Sequence, residues 1–228
     1  MIILLLIALA VNLNNMENQA LHEKLAAYCA GLESEFELIP AERKEKLEEL
    51  GAYIEEKRSA GEPIRINVIC THNSRRSHIG QLWLQTAAAY YGLEGMVTCS
   101  GGTEATAFNH RAVAAVQRAG FEVNRRSDAE NPEYEVTLGP ALPPLLMFSK
   151  KYDHPANPRS GFAAVMVCSE ADAACPLVPG ADGRFAIPFE DPKNFDGSPL
   201  ETQVYDERCR QIAREMFYAV RMGRGVGN

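Results

Sequence analysis

The chain has no internal repeat and no low-complexity tract, which excludes solenoids and disordered arrays as descriptions of its 228 residues. Positive charge is in deficit. Lys and Arg number 23 against 30 Asp and Glu, and the resulting net charge of −7 argues against a nucleic-acid partner. Any anion site must then work through its local field. Six cysteines are too few for a secreted disulfide scaffold of this length, and the thiol chemistry read below suits a reducing, cytoplasmic compartment. No second close Cys/His pair accompanies the closest cysteines, so a zinc site has little support and no metal is expected. No apolar run is long enough for a stable membrane span. The longest, residues 2–11, has about ten residues where about twenty are needed. That opening segment, residues 1–15, lacks a basic flank and leaves three readings: an over-extended start with Met16 as the alternative, a signal peptide cut near Ala10, or a docked terminal segment.

What is present announces itself at residues 70–77, Cys-Thr-His-Asn-Ser-Arg-Arg-Ser, which follow the alternating run 64–69 and open an apolar periodic segment. A strand-to-helix loop of this kind turns successive backbone N–H groups toward one point at the positive end of a helix, where a tetrahedral oxyanion can be held. Thr71, His72, Asn73, Ser74, Arg75 and Ser77 are therefore candidate anion-binding residues, and Arg76 can close the ring with its planar fork. The same field favours the charged form of the sulfur, so the Cys70 pKa is expected to fall from about 8.5 toward roughly 3.5–7.5. Cys70 becomes the candidate nucleophile, with Ser77 donating to the thiolate. Arg75 has the wrong register for closing the ring and is expected at the solvent or at the rim of the anion. The plain alternative is a buried strand cysteine followed by a basic turn.

The loop resembles that of the low-molecular-weight protein tyrosine phosphatases and of the thioredoxin-coupled arsenate reductases that share their fold. The resemblance runs over residues 64–222. The usual form is Cys-x-Gly-Asn-x-x-Arg-Ser; this chain keeps Cys70, Asn73, Arg76 and Ser77 but has His72 in place of Gly. If His72 has to take a positive φ, it carries strain that glycine avoids.

Phosphatase chemistry also needs a general acid. Asp191, immediately before Pro192, sits in an extended, turn-forming context that can aim a carboxyl over a pocket mouth, although Asp-Pro pairs also make ordinary surface turns. The resemblance places the family's Asp-Pro loop here, before the last helix, and implies the acid role. Those phosphatases commonly follow the Asp-Pro with paired tyrosines, whereas this chain reads Lys193, Asn194, Phe195. That weakens phosphotyrosine specificity and leaves room for a small inorganic anion, with Phe195 or Tyr134 as a remaining aromatic wall.

Cys168 and Cys175 stand seven positions apart after the apolar strand 162–167, with Pro176 next. On a helix they would share a face about 10 Å apart along the axis, beyond the roughly 4.4–6.8 Å Cα separation of a disulfide, so a bond between them requires unwinding. Two inert buried thiols are the alternative. The arsenate reductases carry a Cys-x6-Cys-Pro segment in this place, and the resemblance implies a relay. Cys70 attacks arsenate, Asp191 protonates the leaving oxygen, Cys168 attacks Cys70 to release arsenite, and Cys175 resolves that disulfide for thioredoxin or a similar thiol reductant. No bound cofactor is implied. Hydrolysis of a phosphate monoester through a Cys70 phosphoenzyme is the alternative activity.

The rest of the chain is read as scaffold. Leu21, Leu25, Tyr28, Cys29 and Leu32 share a helical face, and Pro40 opens a charged helix with Leu47, Leu50 and Ile54, giving a helical extension over 16–62 that packs on the domain or binds a partner. Residues 63–228 form the phosphatase/arsenate-reductase-like domain. Trp83 sits in an apolar helical stripe, and Asn109 can cap a helix that stops at Gly120. Within 131–158, the runs 134–138 and 145–148 suggest an inserted hairpin, with Lys150 and Lys151 available to attract anions. Strands near 64–70, 95–100, 162–168 and 184–188 alternate with helices. The expected fold is α/β, an open four-stranded parallel sheet with helices on both faces, carrying the active loop at a strand's carboxyl end.

Overall fold

The computed structural model describes residues 20–174 and 177–225; the apolar segment 1–15 and Cys175 lie outside them. Along the chain, helix α1 (Glu23–Ala30), a 3-10 turn (Glu33–Leu38) and helix α2 (Ala41–Ser59) precede strand β1 (Ile64–Cys70). Helix α3 (Arg76–Tyr90), strand β2 (Met96–Gly102) and helix α4 (His110–Ala119) follow, and then three short strands, β3 (Glu122–Arg125), β4 (Tyr134–Thr137) and β5 (Leu145–Met147). Strand β6 (Phe162–Met166), helix α5 (Ser169–Ala174), strand β7 (Ala181–Ala186), a second 3-10 turn (Pro192–Phe195) and helix α6 (Glu201–Gly223) complete the order.

β1, β2, β6 and β7 form one parallel sheet in the order β2-β1-β6-β7, flanked by helices. The two central strands are buried almost throughout. β1 exposes only Arg65 and β6 exposes nothing, the continuous apolar run that a strand covered on both faces requires. Because β1 is central and its neighbours lie on opposite sides, the chain switches direction at its carboxyl end, where Cys70 sits.

Helix ends are set locally. Asn109 accepts from the Arg111 amide at the start of α4, and Gly120 ends it at φ +113, a left-handed geometry that a side chain would resist. Helix α6 buries Tyr205, Cys209, Ile212, Met216 and Val220 along one stripe and packs on α2, α3 and α4. Trp83 is wholly buried, stacked with Tyr28 and edge-on to Phe121 and Phe217, and its Nε1 donates to Cys209 Sγ. The helices ahead of β1 thus share a core with the sheet: Leu25, Cys29, Leu47, Leu50 and Ile54 belong to the same buried cluster as β1 and α6. Among the described residues, no helix is long and apolar enough to cross a membrane.

Three expectations change. The inserted hairpin is a three-stranded antiparallel sheet, β3-β4-β5, whose first strand, Glu-Val-Asn-Arg, is mostly exposed and shows no apolar alternation. Strand β6 ends at Met166, so Cys168 lies beyond the ladder and just ahead of α5. Lys150 is not a surface lysine: it is 5% exposed, its ammonium lies 4.8 Å from the Phe148 ring centroid, and burial lowers its pKa.

Candidate active site

Residues 71–75 join the end of β1 to the start of α3, and the loop's carbonyls are turned outward. Cys70 O accepts from Thr103 N at 3.2 Å, and Thr71 O accepts from Glu104 N at 2.8 Å and Thr103 Oγ1 at 3.1 Å. His72 O accepts from Ser149 Oγ at 3.0 Å and Thr106 Oγ1 at 3.2 Å, and Ser74 O accepts from Asn109 N at 2.9 Å. A peptide whose carbonyl faces out directs its N–H the other way. Among the described residues, no amide of residues 71–76 donates to a protein acceptor. The result is a concave set of N–H donors at the N-terminus of a 15-residue helix, a natural seat for a tetrahedral anion. Gly102 permits it: a Cβ there would stand 2.7 Å from Asn73 N and 2.7 Å from Thr71 O.

The left-handed residue of the loop is Asn73, at φ +44, and not His72. Asparagine tolerates this region better than most side chains, so the His72 substitution carries no positive-φ strain. Asn73 is wholly buried and fully engaged. Its Oδ1 accepts from Lys150 N at 2.8 Å, which fixes the amide orientation, and its Nδ2 donates to Ser77 Oγ at 2.8 Å. Ser77 Oγ is an acceptor in that bond, which leaves its own proton for Cys70 Sγ at 3.1 Å. Cys70 itself is 4% exposed, at the floor of the loop.

Arg76 is buried, and its two terminal nitrogens are committed. Nη1 donates to Phe189 O at 2.8 Å and Nη2 to Asp191 Oδ2 at 2.7 Å. Asp191 caps the second 3-10 turn, its Oδ1 accepting from Lys193 N at 3.0 Å, so the β7-to-α6 connection delivers the carboxylate to the loop's arginine. Arg75 corrects its expectation. It faces neither solvent nor an anion rim: Nε donates to Tyr205 OH at 2.7 Å and Nη2 to Asp196 at 3.1 Å, which ties the start of α3 to α6. His72 is the rim residue, half-exposed and 3.6 Å from Glu104.

Cys168 is brought beside the loop, next to the residue that follows the nucleophile. The β1–β6 register pairs Ile69 with Met166, and Cys168 Sγ accordingly lies 3.4 Å from Thr71 Oγ1 while accepting from Ala171 N at 3.4 Å. Behind the loop, His78 is fully buried, stacked on Phe108 at 4.1 Å, with Nδ1 3.2 Å from Ser100 Oγ. Burial and the nearby Lys150 charge hold it well below the usual histidine range, so it is neutral at pH 7. A cleft of about 750 Å³ opens beside Ser74, walled by Thr106, Asn109, Arg125, Asp128 and Tyr134. Among the described residues, no group of three His, Cys, Asp or Glu is placed to hold a metal ion.

Of the supports of the loop, Thr103, Thr106 and Ser149 carried no signal in the sequence, and Asn109 was legible only as a helix cap. They act through hydrogen bonds to residues 32–77 positions away, two from Thr103 and one from each of the others.

No family model and no curated protein match the chain. Among solved structures, it is similar to a low-molecular-weight phosphotyrosine phosphatase from Vibrio cholerae O395, at 14% identity over 69% of this chain and 95% of that one, with a TM-score of 0.47. It is also similar to a YwlE mutant from Bacillus subtilis, at 13% identity over 69% and 97% of the two chains, TM-score 0.48. A third is the YwlE arginine phosphatase from Geobacillus stearothermophilus, at 18% identity over 70% and 92%, TM-score 0.41.

Proposed function

We propose that this chain is a cysteine-dependent phosphatase that hydrolyses phosphate monoesters through a phosphocysteine on Cys70. The observation that carries the reading is one constellation. A cysteine that receives a serine hydroxyl at 3.1 Å stands at the floor of a loop whose amides have no acceptor among the described residues, beside an arginine joined to an aspartate at 2.7 Å. The ester's phosphoryl oxygens take the loop amides and Arg76. Cys70 attacks phosphorus and the bond to the ester oxygen breaks. Asp191, released from Arg76 by the bound dianion and carrying a proton, donates it to the departing oxygen. Water then attacks the phosphocysteine, Asp191 takes its proton, and inorganic phosphate leaves with Cys70 restored as the thiolate. Ser77 steadies that thiolate as the leaving group of the second step. A reducing compartment follows from the need for a free thiol.

A second reading, reduction of arsenate to arsenite, is favoured by the position of Cys168 next to Thr71. In it the thiol of Cys168 attacks Cys70 Sγ in a Cys70–arsenate adduct, the electron pair of the S–As bond leaves with arsenite, and Cys175 passes the disulfide to a thioredoxin-like dithiol. It ranks second because it needs Cys168, Cys175 and an external dithiol in addition to the loop, whereas Cys70, Arg76 and Asp191 suffice for hydrolysis. One paired assay separates the two: aryl phosphate hydrolysis beside arsenate reduction with a thioredoxin system, on the parent and on Cys168→Ser. The first reading expects hydrolysis in both proteins and no reduction. Reduction in the parent that Cys168→Ser abolishes establishes the second.

A further inference from the structure

The loop's outward carbonyls are served from two places. Thr71 O and Ser74 O take donors from the connection between β2 and α4, close by in the sheet. His72 O is different: its two donors are both hydroxyls, and one belongs to Ser149, 77 residues away at the exit of the three-stranded sheet. Ser149 is 2% exposed, and its Oγ accepts from Thr106 N at 2.8 Å, which aims its proton at His72 O. Its main chain is gripped on both sides by one amide: Asn131 Nδ2 donates to Ser149 O at 2.8 Å, and Ser149 N donates to Asn131 Oδ1 at 3.1 Å. The next residue, Lys150, donates its N–H to Asn73 Oδ1. The segment Ser149-Lys150 therefore fixes both sides of the His72–Asn73 peptide, the one whose second residue is left-handed.

We propose that Ser149 and Asn131 are positioning residues of the oxyanion seat: through the His72 carbonyl they set the direction of the loop amides, so the three-stranded sheet is a working part of the site. This rests on the loop being an oxyanion seat. A donor set displaced by a fraction of an ångström loses much of its hold on a tetrahedral ion, because the amides must converge on one centre. Asn131 also neighbours Pro132, a wall of the cleft beside Ser74, so the same sheet shapes the cleft and holds the loop.

The test titrates inorganic phosphate into the parent, Ser149→Ala, Ser149→Thr and Asn131→Ala, and measures aryl phosphate kcat and KM on the same four proteins. The expected result is a phosphate Kd raised roughly 10- to 100-fold and a kcat lowered by a similar factor in Ser149→Ala and Asn131→Ala, with Ser149→Thr restored toward the parent. A residue that only stabilises the fold would lower the melting temperature and leave Kd and kcat of the folded protein unchanged, and that result overturns the proposal. Should Ser149→Ala not fold, the half-buried Asn131→Ala carries the same expectation; if neither folds, the role is structural and the proposal fails. A parent that binds phosphate with the expected variant pattern but hydrolyses no ester refutes the phosphatase reading while the positioning role stands. A parent that binds no phosphate removes both.

Discussion

At the scale of single residues, burial sets the scaffold thiols apart. Burial pushes Cys29 and Cys209 up to about 12, so at pH 7 only about one molecule in 10⁵ carries either thiolate. Iodoacetamide at pH 7 is therefore expected to modify Cys70 first, and inorganic phosphate to protect it; preferential labelling of Cys29 or Cys209 contradicts this. Arg76→Lys keeps the charge and loses the fork that spans Phe189 O and Asp191, and kcat/KM for an aryl phosphate should fall by about 10²–10³. Asp191→Asn should lower kcat by about 10²–10⁴ and remove the fall of kcat/KM with rising pH that ionisation of the proton donor causes. His78 gives a stability prediction with a definite sign. Its folded pKa lies below the unfolded value of about 6.5, so the unfolded chain alone takes up the proton as pH falls through that value. Its contribution is intact above about pH 6.5 and declines below it, by at most about 1.4 kcal/mol per pH unit. Loss of stability in urea unfolding at descending pH and a His78 imidazole NMR signal that stays neutral as pH falls below about 6.5 are the expected observations; a His78 titration near 6.5 contradicts them.

Elements were legible wherever one periodicity governed them. The central strand, the Asn109-to-Gly120 helix and the final stripe of α6 could be read because burial and capping write themselves into spacing. β3 was not, since its Glu-Val-Asn-Arg is held by main-chain pairing to β4 and exposes its side chains. The site was half legible. Cys70, Asn73, Arg76 and Ser77 lie within eight positions and share one local motif, and the Asp-Pro turn marked Asp191. The fate of Arg75, the depth of Lys150 and the strap from Ser149 depend on contacts between distant segments, which composition and spacing do not encode. A contact of the same kind closes α2 on α6, where a Cβ on Gly51 would meet Met222 Cβ at 2.8 Å and Ala219 O at 3.0 Å. Gly51→Ala gains about 1 kcal/mol of helix propensity but forces the helices apart, and a net loss of about 1–2 kcal/mol is expected from denaturant unfolding. An unchanged or raised stability contradicts this close crossing.

For the whole molecule, a net charge of −7 means that an anion is attracted by the loop alone and not by the surface at large. Binding should accordingly depend on one guanidinium and one ring of amides. Phosphate at about 100 times its Kd is expected to stabilise the protein by about 2.7 kcal/mol, a rise of roughly 5–10 °C in melting temperature, and Arg76→Ala should abolish the rise. A shift that survives Arg76→Ala would place the anion elsewhere. The most direct test of the central claim is to mix an aryl phosphate with the Asp191→Ala protein, quench rapidly, and read the Cys70 peptide by mass spectrometry. The account predicts a phosphoryl group on that cysteine, with neither turnover nor labelling in Cys70→Ser. Turnover by the parent that persists in Cys70→Ser would contradict it.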